Sequence, residues 1–134
     1  RSTFYAHFDN KFDLLTAEIP NVTLPISAAD GDPDLLPLFE HVQEMRPIML
    51  PLMSQPLLAE MMDTFQRRLA TAWTDHLVKL GVPEERRTVA AELLAGGFMS
   101  VTRHWLKAGC EPDPATICAE FTAYSNGILA RAAA

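Results

Sequence analysis

Apolar residues recur every three or four positions through most of this 134-residue chain, whereas the two-residue alternation of a half-buried strand is almost absent. A helix places positions i, i+3, i+4 and i+7 on one face, and an apolar face must be covered, so this pattern points to an all-α fold of packed helices. Leu35, Leu38, Phe39, Val42 and Met45 share one face of a first long block. Leu58, Met61, Met62, Phe65, Leu69, Ala72, Trp73, His76, Leu77 and Leu80 share one face of a second, which Gly81 and Pro83 bring to a stop. Residues 84–108 carry two adjacent apolar rows, Val89, Leu93, Gly97, Val101 and Trp105 beside Ala90, Leu94, Phe98 and Leu106. A helix apolar over so much of its circumference needs cover on more than one side, and a partner subunit is the expected cover. Asp113 as N-cap and Pro114 in the first turn open a last helix striped by Ile117, Phe121, Tyr124 and Ile128.

Prolines interrupt this layout at two places. Pro20, Pro25 and Pro33, with Gly31 and the acidic Asp30, Asp32 and Asp34, mark residues 20–34 as a linker between residues 1–19 and a helical domain over 35–134. Pro47, Pro51 and Pro56 fall within ten residues of one another. Each lacks the N–H that a helix interior uses, so a kink or break is expected between them. Five of the six methionines, Met45, Met49, Met53, Met61 and Met62, gather around those prolines. Thioethers adapt to varied apolar shapes, and a broken helix packs poorly along its length. A ligand cavity is therefore expected there, bounded also by Phe65, Leu69 and Trp73 and by Phe98, Met99 and Thr102. Its ligand would be largely apolar, with His76, Thr102 or His104 as polar handles. Plain core packing is the alternative for the same methionines.

Composition narrows the function classes. A 49% hydrophobic content is enough for one compact core, and no unbroken apolar run reaches the roughly 18 residues of a membrane span. The formal charge of −6 argues against nucleic-acid contact along the whole chain and leaves only a local one. Cys110 and Cys118 have no second pair with which to make a metal site and read as reduced thiols. No secretory leader pattern is visible, and a cytoplasmic location without membrane contact is expected.

Residues 1–15 run Arg-Ser-Thr-Phe-Tyr-Ala-His-Phe-Asp-Asn-Lys-Phe-Asp-Leu-Leu. The Thr-Phe-Tyr-x-His-Phe run followed by Lys-x-x-Leu resembles the end of the helix-turn-helix of TetR-type transcriptional regulators. Residues 105–114, Trp-Leu-Lys-Ala-Gly-Cys-Glu-Pro-Asp-Pro, are similar to the turn between the two dimer-forming helices of that family. The resemblance implies that Tyr5 and His7 donate to DNA phosphates and that Lys11 adds charge where the next helix begins. It places Arg1, Ser2 and Thr3 nearer the base edges. It also implies that further helices of the DNA module precede Arg1, so that residues 1–19 hold only its end. Phe4, Phe8, Phe12, Leu14 and Leu15 read as core. The implied function is a repressor that releases operator DNA when a small molecule binds. The implied assembly is a homodimer through a four-helix bundle, with Gly97, Phe98, Val101, Trp105, Ile117, Phe121, Tyr124 and Ile128 as contacts.

Two other classes share the helical pattern. A dimerisation module without an inducer would have the same fold. A helical enzyme or metal protein would need clustered ligands, yet neither Glu-x-x-His nor His-x-x-x-His occurs, and His41, His76 and His104 stand apart. No catalytic residue, cofactor or metal ligand is assigned.

Overall fold

The computed structural model describes residues 24–26 and 31–134, and among them every regular element is an α-helix. Four helices follow one another: α1 (Leu36–Leu52), α2 (Pro56–Lys79), α3 (Glu84–Lys107) and α4 (Pro114–Ala133). Each end has local chemistry behind it. Asp34 accepts the Leu36 N–H at 3.1 Å ahead of α1, and Asp113 accepts the Thr116 N–H at 2.9 Å at the start of α4. Helix α2 ends where Gly81, at φ +74°, lets its own N–H reach Val78 O and the Val82 N–H reach Leu77 O, while the Val82 side chain folds into the core. Gly109 ends α3 in the same way, with Cys110 N–H on Trp105 O at 2.8 Å.

The expected break at the first two prolines does not occur. Helix α1 runs through both Pro47 and Pro51 and stops only at Leu52. Pro47, Pro51 and Gln43 all face solvent. The carbonyls of Gln43 and Pro47, four residues before each ring, lose their helical partners on the side where water can replace them. The break comes at residues 53–55, where Gln55 turns extended (ψ 132°) because the ring of Pro56 crowds the helical conformation of the residue before it.

Helix α3 is central, packed by α1, α2 and α4. The row Ala90, Leu94, Phe98 and Leu106 is covered from within the chain, whereas Val89 and Leu93 of the adjacent row stay open. Helices α3 and α4 run antiparallel: Arg86 donates to the carbonyls of Ala132 and Ala134 at 3.1 and 2.9 Å, and the Phe121 ring lies over Gly97. Around this pair sits the main core, in which Phe39 meets Phe98, Trp105 and Phe121 edge to face at ring-centre distances of 5.1, 5.8 and 6.0 Å. Trp105 also donates its indole N–H to Pro112 O at 2.7 Å and so ties the α3–α4 turn to the core. Ile26 and Leu35 bury themselves in the same core. A second, smaller cluster lies at the α1–α2 break: Met45, Leu52 and Leu58, with Ile48, Met49, Met53, Met61 and Met62 packed against it.

Candidate functional site

Where α1 ends and α2 begins, the chain reverses without filling the space between the two helices and α3. A cavity of about 290 Å³ opens there. Met49 and Met53 reach it from the end of α1, Leu58, Ala59 and Met62 from the first turns of α2, and Met99 and Leu106 from α3. Its polar lining consists of Asp63, Gln66, Thr102 and Arg103.

Of the expected pocket residues, Met49, Met53, Met62, Met99 and Thr102 line this cavity. Met45 and Met61 belong to the small cluster beside it and do not reach the opening. Phe65, Leu69, Trp73 and Phe98 lie in the main core instead, a correction with a simple cause. They are buried among the other helices' apolar side chains, at 9% exposure or less. Of the three expected polar handles only Thr102 is at the cavity. His104 is exposed, and His76 is buried in the C-terminal half of α2.

The polar groups divide by what they can still offer a ligand. The Thr102 hydroxyl donates to Phe98 O at 2.7 Å, with Met99 O at 3.2 Å, so towards the cavity it can only accept. Asp63 stands 3.8 Å from Arg67 one turn further along α2, an exposed and weak pair. Arg103 makes no ion pair or hydrogen bond among the described residues. A second guanidinium lies nearby, since Arg46 Nε donates to the carbonyl of Leu106 at 2.9 Å. Asp63, Gln66 and Arg103 were not anticipated from sequence. Read along their helices they fall on polar faces, and only the three-helix geometry turns them towards a shared space.

The remaining titratable groups lie away from the cavity. Among the described residues His76 has no hydrogen-bond partner on Nδ1; burial, and next the charge of Lys79, lower its pKa, while Asp32 pulls the other way. Burial raises the thiols of Cys110 and Cys118 above the ordinary cysteine value, which keeps both protonated and poorly nucleophilic. No group of three or more His, Cys, Asp or Glu side chains among the described residues could hold a metal ion.

The expected interface residues also separate. Phe98, Trp105 and Phe121 are buried among their own chain's rings, at 0, 2 and 8% exposure, and have almost no surface to give a second copy. Gly97 faces Phe121, and Val101, Ile117 and Ile128 pack half-buried on the main core. Tyr124 alone of that set is open, at 68%, and on α3 the open apolar residues are Val89 at 60% and Leu93 at 56%. Arg1, Ser2, Thr3, Tyr5, His7 and Lys11, expected at DNA, lie outside the described residues.

No helix among the described residues is long and apolar enough to cross a membrane. The family model for the C-terminal region of TetR-type transcriptional regulators matches residues 32–127, well over half of the chain. No curated protein and no solved structure matches it.

Proposed function

The chain belongs to the TetR-type transcriptional regulators, and from that premise we propose that its described helices are the receptor of a ligand-responsive repressor, with the cavity at the α1–α2 break as the receiving site. The observation that carries this reading is the cavity itself. It lies between three helices, four of its lining residues are methionines, and its volume of about 290 Å³ falls just below the roughly 300–1,000 Å³ of small-molecule sites. A ligand there would touch α1, α2 and α3 together. Leu35, at the head of α1, carries the segment that leads back towards residues 1–19, so a shift of α1 against α3 is the motion that could reach a DNA-binding end. Such a ligand switches DNA affinity only if it binds the released form better than the DNA-bound form.

Residues 1–19 are proposed as the DNA end, with Tyr5, His7 and Lys11 on phosphates and Arg1, Ser2 and Thr3 towards the bases. Two copies would set two such ends at successive major grooves. The open residues Val89 and Leu93 on α3 and Tyr124 on α4 are the surface offered for that pairing.

The test uses the complete regulator and an operator selected from a random duplex pool. Met62→Trp places a large ring in the cavity at a half-buried position. Operator affinity should stay within about threefold of the parent, while release by any effective small molecule is lost. Loss of both properties together would mark Met62 as structural and remove the receptor reading.

A further inference from the structure

Four thioethers give the cavity an apolar wall, and its opening carries one acidic and one basic side chain, Asp63 and Arg103. Asp63 has Arg67 beside it, whereas Arg103, on the opposite helix, makes no ion pair among the described residues. Arg46, fixed by its bond to the Leu106 carbonyl, adds a second positive charge behind the Leu106 wall. The hydrogen-bonding inventory leans the same way. The hydroxyl proton of Thr102 is committed to its own helix, so the donors left for a guest are the Arg103 guanidinium and the Gln66 amide. A guest that accepts strongly and carries negative charge would be matched by a planar guanidinium that can donate two parallel bonds to a carboxylate. Size limits the guest further. At about 30 Å³ for each water-sized group, 290 Å³ holds on the order of ten non-hydrogen atoms.

We propose that the cavity binds a small amphipathic monocarboxylate, its hydrocarbon chain among Met49, Met53, Met62 and Met99 and its carboxylate on the guanidinium of Arg103. This rests on the reading of the cavity as the receptor site and adds the chemical class of the ligand. A carboxylate on Arg103 bridges α3 to whatever its chain touches on α1 and α2, so head and tail together hold the three helices at one separation. A neutral molecule of the same length would fill the methionine wall without that anchor. An amine would face Arg103 and find the one lining carboxylate, Asp63, already beside Arg67.

The test compares octanoate, octan-1-ol and octylamine by isothermal titration calorimetry on the full chain, all below the concentrations at which they aggregate. Octanoate should bind at least about tenfold tighter than octan-1-ol, the ratio expected for one charge-assisted bond near solvent, and octylamine should bind weakest. Arg103 is exposed, so Arg103→Leu should fold normally. It should reduce octanoate binding about tenfold, leave octan-1-ol unchanged and so erase the preference. Arg103→Lys should retain most of it. If octan-1-ol or octylamine matches octanoate, or if Arg103→Leu weakens all three alike, the carboxylate assignment is overturned while the receptor reading stands. If none of the three binds the parent chain and Met62→Trp changes nothing in the complete regulator, both are overturned.

Discussion

Around Phe98 the molecule is built of rings, whereas at the α1–α2 break it is built of thioethers. Phe39, Phe98, Trp105, Phe121 and Trp73 meet at ring-centre distances of 5.1–6.5 Å, mostly edge to face, and all five are buried where the four helices come together. Rings have few rotamers and fixed shapes, so such a cluster specifies one arrangement. The methionine cluster surrounds Leu52 and Leu58 with five methionines and Ile48, and about 290 Å³ beside it is unfilled. Flexible side chains beside a void lose little when they rearrange. One chain thus carries a ring-built body beside an adaptable site, and the two meet on α3, where Met99 belongs to the main core and also lines the cavity.

The largest expected effect separates the two regions by stability. Phe98→Ala removes a fully buried ring and should cost about 3–5 kcal/mol in urea unfolding monitored by circular dichroism. Met53→Ala, at a half-buried position on a cavity that already exists, should cost less than about 1 kcal/mol. Equal losses at the two sites would show that the break is packed as tightly as the ring cluster and would break the comparison.

A smaller effect sharpens it, because the rigid region carries one polar group at a cost. His76 is buried, its Nδ1 has no hydrogen-bond partner among the described residues, and its folded-state pKa lies below the ordinary value of about 6.5. Between those two values the unfolded chain binds the extra proton and the folded chain does not, so stability rises with pH there. The contribution is fully present above about pH 6.5 and declines as pH falls through the ordinary value towards the lowered one. Unfolding midpoints measured from pH 7.5 to 5 should fall for the parent chain and fall less for His76→Leu. Identical slopes would mean that His76 is solvated in the folded state.

How far the sequence shows these features depends on whether they are local. Helix ends set by Gly81, Asp113 and Pro114 are legible because each acts within a few residues, and all three stand where their chemistry puts them. On α4 the fully buried positions are Cys118, Phe121, Ser125, Leu129 and Ala132; Ile117 and Ile128 of the apolar stripe pack half-buried on the core beside them, and Tyr124 turns outward. Ala119, Ala123 and Gly127 leave the apolar stripe of α4 with no sharp edge, and the choice between adjacent stripes then falls to the helices it packs against. The proline rule misled at Pro47 and Pro51 for a related reason, since exposure of the unpaired carbonyls is a tertiary property. The methionine cluster was visible as a clustering of one residue type. Arg103, Gln66 and Asp63 were not, because nothing in the spacing of two separate helices tells that their polar edges face the same cavity.

The contrast between a ring-built body and an adaptable site can be observed at the six methionines themselves. With the methionine methyls labelled with carbon-13, the full chain is titrated with octanoate and followed by methyl NMR. The signals of Met49, Met53, Met62 and Met99 should move together along one binding curve, while those of Met45 and Met61, which do not line the cavity, should move least. Four lining methyls that stay still at saturating octanoate, or shifts led by Met45 and Met61, would contradict the claim that the break between α1 and α2 is where this regulator receives its ligand.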